Sequence, residues 1–454
     1  MPGLRRRVLV LGSGGREHAL VRALATSPEC DVFCAPGNPG IAEHATLWPI
    51  ALSALPELVA TAWAERIDLV IPGPEAVLDR GIADALAEVH IPCCGPSRAA
   101  SQLEASKAFM RRLTAPLCLP APAFRIVESV EELAPAIESF ARVPVLKADG
   151  LAAGKGVFLP TDAGQCLALG RLLLDGALGL AGRRLVLEER LSGPEVSLFF
   201  ACHGTSYVAL PSARDHKRLL AGGVGPNTGG MGAVSPCPAI VPSFVEQAGS
   251  IFVAPTLQAL LRRGTPYVGF LYLGLILTAA GPRLLEFNVR LGDPEAQAIL
   301  PRLAPGELLR LCTATATANE SPRSAGSGLA ALRLQTLPGA TCAVVLAAPG
   351  YPDEPRLGGL ITIDAGRLQQ AGVTLFHNGT QRMVGAPALQ VAGGRVLTIV
   401  GHGADLAAAR RSAYRGVAAI DFPGMQQRDD IGLPNSHSGT RQSDIPSDIP
   451  DANR

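Results

Sequence analysis

Apolar and polar positions fall into runs that mark out strands and helices along the chain. Residues 7–11 are a short leucine and valine run ending in G-S-G-G-R-E-H-A (12–19), a pattern of strand, glycine-rich turn and helix. A second strand near 31–35 leads into A-P-G-N-P-G (35–40), and a third at 69–71 leads into P-G-P-E (72–75). Residues 85–96 predict helix, strand and turn, ending at C-C-G-P, and residues 99–113 are helical in pattern. Pro116, Pro120 and Pro122 make 115–124 a linker. Residues 143–160 (V-P-V-L-K-A-D-G-L-A-A-G-K-G-V-F-L-P) predict a hairpin of two strands around a glycine-rich loop. Residues 185–200 read as strand, short connection and strand, and 214–232 as a long polar, glycine-rich loop. A buried strand at 267–275 leads into R-L-L-E-F-N-V-R-L-G-D-P-E (283–295).

Beyond S-P-R-S-A-G-S-G, near residue 322, the pattern changes. Strands at 329–335, 342–347 and 393–400, turns at 348–352 and 376–380, and a helix at 404–418 predict a small α+β domain. From about 433 the chain is polar with a D-I-P-S-D-I-P repeat, the composition of a disordered tail.

Composition narrows the class. A chain of 454 residues, 48% hydrophobic and 17% charged, can bury real cores in two to four domains. A net charge of +1 argues for neither nucleic acid nor a membrane surface. The ten cysteines form no C-x-x-C pair, which fits scattered reduced thiols in a cytoplasmic protein. The start imitates a signal peptide, but its apolar run covers only 8–11, and the later run at 268–280 is too short to span a membrane.

Candidate chemistry centres on Glu286, Asn288 and Arg290, which share one face if 283–290 is a strand. A carboxylate and an amide oxygen two residues apart suit Mg2+, with phosphate and water completing its shell. Arg290 could hold a carboxylate or phosphate bidentately. A solvated edge strand explains the same alternation. The G-S-G-G turn offers backbone amides at a helix N-terminus to a phosphate. It lacks the third glycine of the dinucleotide fingerprint, since Glu17 stands there. With the loops at 35–40 and 72–75 it would form one rim at the carboxyl ends of parallel strands. The 143–160 hairpin is not a Walker A loop: three residues separate Gly150 from Gly154 where four are needed, and Gly156 stands where Ser or Thr should be. Its amides could close over phosphates, with Lys147 on the strand and Lys155 in the loop. Glu188, Glu189 and Glu195 are candidates for an adenosine's hydroxyls or amine, or else solvated. Lys107 is read equally well as a solvated helix charge.

These residues together resemble the glycinamide ribonucleotide synthetases (phosphoribosylamine–glycine ligases) of the ATP-grasp superfamily, over about 7–432. The carriers are G-S-G-G-R-E-H-A, P-G-P-E, L-E-A-S-K-A-F, L-K-A-D-G-L-A-A-G-K-G-V, D-H-K-R, G-P-N-T-G-G-M-G-A, G-F-L-Y, E-F-N-V-R-L-G-D-P-E, F-H-N-G-T, G-G-R-V-L and R-D-D-I-G. The resemblance implies an α/β and α+β chain: a Rossmann-like domain (1–103), a two-lobed ATP-grasp domain (104–321, mobile lobe about 125–190), a C-terminal α+β domain (322–432) and the tail (433–454). It implies ligation of glycine to 5-phosphoribosylamine through a glycyl phosphate, with ATP as co-substrate and Mg2+ (or Mn2+) on Glu286 and Asn288. Lys107, Lys147, Gly154, Gly156, Glu188, Glu189 and Glu195 would then serve ATP, and Arg290, Asp215 and Lys155 the chemistry. Gly14, Gly15, Arg16, Glu17, Asn38, Pro74, Glu75, Asn227, Thr228, Gly229, Gly230 and Met231 would serve the other substrates. A monomer or weak homodimer is expected. The chain departs from the family's usual pattern at Gly223, Val234, Ala296 and Asn378. Competing readings are another ATP-grasp carboxylate–amine ligase, a non-catalytic nucleotide-binding paralogue, and an NAD-dependent oxidoreductase argued from G-S-G-G alone.

Overall fold

The computed structural model describes residues 5–151, 156–317, 328–383 and 385–433. Gly154, Lys155 and the tail from 434 lie outside the described residues. The first sheet is parallel, in the order β3 (Thr46–Leu47), β2 (Cys30–Pro36), β1 (Arg6–Gly12), β4 (Leu69–Pro72). Side-chain alternation along β1 divides its burial: Leu9 and Leu11 join one core, while Val8 and Val10 join another with Leu20 and Val21 of α1 (Gly15–Ala25). Both faces are covered, as an α/β sheet requires. Helices α2 (Leu55–Ala64), α3 (Glu75–Asp79) and α4 (Ile82–Glu88) follow. The strand expected within 85–96 is a single bridge, Val70 to Cys93.

The helix expected over 99–113 is two helices, α5 (Arg98–Ala105) and α6 (Lys107–Thr114). Ser106 breaks them with extended backbone and caps α6, its Oγ accepting from the Phe109 amide at 2.9 Å. The linker then passes to two antiparallel sheets. One runs β5 (Phe124–Val127), β8 (Leu185–Glu188), β6 (Val145–Ala148), β7 (Val157–Phe158), backed by α7 (Leu133–Glu138) and α8 (Ala163–Leu172). The other runs β10 (Ser206–Ala209), β9 (Glu195–His203), β15 (Val268–Thr278), β16 (Gly281–Asn288). A register shift between β15 and β16, where Gly274 faces Glu286 and Leu275 faces Leu284, leaves Leu285 as an extra residue.

The stretch 214–232, expected as a loop, contains β11 (Arg214–Asp215), β12 (Arg218–Leu220) and β13 (Val224–Asn227), and β14 (Gly232–Ser235) begins at its end. Gly222, Gly223 and Gly225 adopt positive φ and let β12 turn back on β13. Helices α9 (Pro242–Ala248) and α10 (Ala254–Arg262) precede β15; α11 (Glu295–Ile299) and α12 (Glu307–Thr317) follow β16. The expected strand at 329–335 is instead a 3-10 turn, Leu329–Ala331, with one bridge from Leu303 to Thr336. Leu329 and Leu332 are both buried, the i, i+3 spacing that a 3-10 turn stacks on one side.

The C-terminal part adds β17 (Ala340–Ala347), β18 (Leu360–Ile363), α13 (Ala365–Ala371), β19 (Thr374–His377), β20 (Thr380–Arg382), β21 (Leu389–Val391), β22 (Arg395–Gly403), α14 (Leu406–Val417) and β23 (Ile420–Asp421). Its main sheet, β11-β14-β17-β22-β19, takes two strands from the middle of the chain. All ten cysteines are free thiols and eight are buried, so no disulfide contributes. Among the described residues no helix is long and apolar enough to cross a membrane.

Candidate active site

Three lysines from three elements gather on one carboxylate. Glu286 lies at the end of β16; Lys107 opens α6, Lys147 is on β6, and Lys217 lies between β11 and β12. Burial opposes ionisation of Glu286, yet Lys217, Lys147 and Lys107 together hold its carboxyl below the usual range. Asn288 shares its face and donates Nδ2 to Glu286 Oε1 at 3.3 Å. Burial, with Lys147 adding to it, lowers Lys107 from its ordinary value. Lys147 is tied down: its Nζ is 2.7 Å from Glu188 Oε2.

Glu188 is therefore not solvated. Its other oxygen lies 2.7 Å from Arg111 Nε, and the Arg111 guanidinium also donates to the carbonyls of Leu284 and Leu285 on β16. Arg111 is 1% exposed and joins the two sheets. Burial works against the Glu188 charge, but Lys147 and Arg111 keep its carboxyl below the usual range. Glu189 accepts the Ala123 amide at 3.3 Å and, with Arg111, Thr114 and Arg125, lines a cleft of about 480 Å3 that adjoins Glu188 through Arg111. Exposed Glu195 pairs with Lys217 at 2.7 Å. Gly156 accepts the Ala148 amide at the base of the β6–β7 hairpin.

Beyond Lys217 the balance turns acidic. Burial raises the Asp215 carboxyl, with Glu195 and Glu286 adding to it. Burial and then Asp215 push Glu295 up to about 7. Glu295 is 4% exposed; Ser197 Oγ lies 3.4 Å from its Oε1 and 2.9 Å from the Tyr272 hydroxyl. A side chain on Gly292 would collide with this carboxylate.

The expected rim exists. Gly37 and Gly73 donate their amides to Gly12 and Leu11, so the loops after β1, β2 and β4 meet. Several side chains assigned to substrate are nevertheless occupied within the fold. Glu17 Oε2 accepts the Gly14 amide at 2.6 Å, and its Oε1 accepts Arg16 Nε at 2.7 Å. A carboxylate of the chain thus already sits at Gly14. Asn38 donates to the Ser13 and His377 carbonyls and accepts the Gly40 and Ile41 amides, which uses its whole amide. Met231 is fully buried. Pro74 serves as the N-cap residue of α3. Gly15 has no room for a side chain: a Cβ would fall 2.4 Å from both Asn378 Oδ1 and Gln297 Nε2. Thr228 Oγ1 donates to the Lys217 carbonyl and accepts the Gly230 amide, and Gly229 is held by Tyr351 and Arg395. Asn227 is exposed on β13.

Arg290 is paired within the chain. It lies past the end of β16, with Nε 3.1 Å from Glu75 and Nη2 2.7 Å from Glu104. Its Nη1 reaches the Leu291 carbonyl at 3.4 Å. Its Nη2 also reaches Asn288 Oδ1 at 3.4 Å, so the guanidinium is paired with carboxylates of the chain on one side and adjoins the Glu286–Asn288 face on the other.

Three profiles of one family match along the chain: "Phosphoribosylglycinamide synthetase, N domain" at 6–104, its "ATP-grasp (A) domain" at 105–296 and its "C domain" at 341–434. The chain belongs to the phosphoribosylglycinamide synthetase family. A protein named phosphoribosylamine–glycine ligase from Phenylobacterium zucineum is 43% identical, covering 94% of this chain and 98% of its own. One of that name from Streptomyces coelicolor is also 43% identical, over 94% and 98%. The crystal structure of a phosphoribosylamine–glycine ligase from Thermotoga maritima superposes with a TM-score of 0.78 at 33% identity, covering 94% of this chain and all of that one. A biotin carboxylase domain from Hydrogenobacter thermophilus, in complex with MgADP, has a TM-score of 0.70 at 14% identity over 93% and 92% of the two chains. That likeness speaks for the fold alone. Family membership accounts for the three-part α/β and α+β architecture and the two facing sheets.

Sequence reasoning missed Lys217, Glu295, Arg111 and Glu104. A signal for Lys217 was present: in D-H-K-R, alternation sends Asp215 and Lys217 to the side opposite buried His216. Arg111 and Glu104 carried none, because each reads as a surface charge on an amphipathic helix until its partners are known.

Proposed function

We propose that the chain ligates glycine to 5-phosphoribosylamine at the expense of ATP, giving glycinamide ribonucleotide, ADP and phosphate. The observation that carries this is the convergence of Lys107, Lys147 and Lys217 on Glu286. A carboxylate is a poor electrophile, because attack on it would have to expel oxide. Transfer of the γ-phosphoryl group to a glycine carboxylate oxygen breaks the bond to ADP and forms glycyl phosphate. The amine nitrogen of phosphoribosylamine then attacks the glycyl carbonyl, phosphate leaves, and the nitrogen loses a proton. Each stage moves negative charge, so fixed cations are what the reaction needs. Lys107, Lys147 and Lys217 supply them, and Glu188 and Glu195 hold two of the three in place.

Among the described residues no group of three or more His, Cys, Asp or Glu side chains is arranged to hold a metal. An ionised Glu286 beside the Asn288 amide fits instead a hard divalent cation that shares its shell with phosphate oxygens. We assign Mg2+ or Mn2+ to these two residues; the ion would screen the triphosphate and polarise the transferred group. For glycine, Asp215 and Glu295 are proposed beside Arg290. Their oxygens, next to Lys217, would accept from the ammonium group, and Arg290 would take the carboxylate in exchange for Glu75 or Glu104. The sugar phosphate is proposed to lie along the rim at 12–15, 72–75 and 227–230, where it would displace Glu17 from the Gly14 amide and exchange with the carboxylates now paired with Arg16, Arg290 and Arg395.

The test is ADP release with Mg-ATP, adding glycine and fresh phosphoribosylamine singly and together. Release requiring both is expected. Release with another amino acid but not glycine, or none in any combination, overturns the reading.

A further inference from the structure

The geometry points to Asp149 as a positioning residue for the nucleotide, one that sets Lys107 on α6 against Lys147 on β6. It rests on the reading of these lysines as phosphate cations. The two belong to different elements, repel each other, and both act on the charge of Glu286. Lys147 is fixed through Glu188. Lys107 is in no ion pair among the described residues, so its place depends on its backbone. That backbone is gripped on both sides by Asp149. The Ser106 hydroxyl, one residue before, lies 2.9 Å from Oδ1 and 3.2 Å from Oδ2; the Ala108 amide, one residue after, donates to Oδ1 at 3.0 Å. Asp149 is itself two residues beyond Lys147, one past the end of the same strand. One carboxylate therefore registers both lysines.

The chemistry suits a carboxylate there. The first-turn amides of α6 lack intrahelical partners and carry the positive end of its dipole. The Asp149 side chain is 6% exposed and is balanced by Arg184 Nη1 at 3.3 Å. Arg184 has a second partner in Glu128 at 2.8 Å, so loss of Asp149 strands no cation. Ser106 likewise keeps its cap on Phe109. Asp149 also acts directly on the Lys107 charge, and Arg184 and Ser106 each keep a second contact when it is removed.

Initial rates of the full-length protein, varying Mg-ATP, glycine and phosphoribosylamine in turn, test the assignment. Asp149→Ala should raise KM for ATP about tenfold, the equivalent of one lost charge-assisted hydrogen bond. KM for glycine and phosphoribosylamine should stay within about twofold, because no contact to either is lost. Asp149→Asn retains an oxygen for the Ala108 amide and should lie between wild type and Asp149→Ala. An unchanged KM for ATP in Asp149→Ala, or all three constants rising together, overturns the proposal. If Asp149→Ala does not fold, as read by its thermal midpoint, Asp149→Asn decides by the same criterion. Mg-ADP binding by calorimetry separates this from the reaction. Weaker Mg-ADP binding by the variant supports the positioning role even where wild type fails to release ADP with glycine and phosphoribosylamine. Equal binding overturns it whatever the turnover.

Discussion

Glu286 is where the lysines become useful. Three cations alone would repel one another, and a single buried carboxylate both offsets them and presents an oxygen to a divalent ion. Glu286→Gln keeps the size and removes the charge. It should lower kcat/KM for ATP by about 100-fold or more, with less effect on glycine affinity. Steady-state rates across Mg2+ and Mn2+ concentrations measure this; an unchanged requirement for the ion would remove Glu286 from the metal. Glu295 makes a separate prediction about stability. Its folded carboxyl stands at about 7, above the ordinary 4.5. Between those values the folded protein holds a proton that the unfolded chain has released. Unfolding free energy therefore falls as pH rises through that window, and the contribution is complete only below it. Glu295→Gln should flatten the fall. Urea unfolding of both proteins at several pH values between 4.5 and 7.5 checks this, and parallel slopes would argue against it. At this scale the sequence was legible where spacing alone decides the face, as for Glu286 and Asn288. It was silent where distant partners decide the contacts. Arg290 shares their alternation, and Glu75 and Glu104 arrive beside it from elements far away in the chain.

Elements came through where local chemistry and periodicity agree. The run 8–11 is a strand followed by a helix, because β-branched and leucine residues precede glycines that can turn. The hairpin around 150 also forms, with its apolar flanks paired as β6 and β7. The failures have separate causes. A helical pattern over 99–113 hid the Ser106 cap, since a serine after an apolar stretch is visible as a break only when its hydroxyl turns to Phe109. The polar run at 214–232 hid strands because their partners are each other and a sheet from the C-terminal part. That β12–β13 hairpin is mostly solvent-exposed and is held from outside at two points. Asp430 Oδ2 accepts the Gly222 amide at 2.8 Å, and Arg428 donates to the Arg218 carbonyl at 3.1 Å. Asp430→Asn weakens the first, charge-assisted contact, whose worth is about 1–3 kcal/mol locally. Trypsin should then cut after Arg218 several-fold faster while β17 and β22 remain resistant. Unaltered cleavage would mean that the hairpin holds itself.

In the whole molecule, the parts that sequence patterns separate are joined by shared structure. The predicted boundary near 322 divides the polypeptide, yet β14 before it pairs with β17 after it, from Gly232 opposite Val344 to Ser235 opposite Thr341. Val234 is buried with Cys342, Val344 and Ile399, while Phe376 packs into the core that holds Leu20 and Val21 of α1. Polar contacts run the same way: His18 Nδ1 accepts the His377 amide at 2.9 Å, and Arg395 reaches Asp293 Oδ2 at 3.2 Å. The C-terminal part thus supports the first helix, the 228–230 turn and the segment after Glu286. A chain ended at residue 317 would expose the β14 edge and leave Phe376's place in that core empty. Such an open edge with an apolar face invites association. We expect the fragment to elute as aggregates and to show less than about a tenth of the full chain's ADP release, since the opening adjoins the Lys217 turn itself. Size-exclusion chromatography with an ADP assay measures both. A monomeric fragment with full turnover would show that the shared sheet is an attachment and that the site is complete without it.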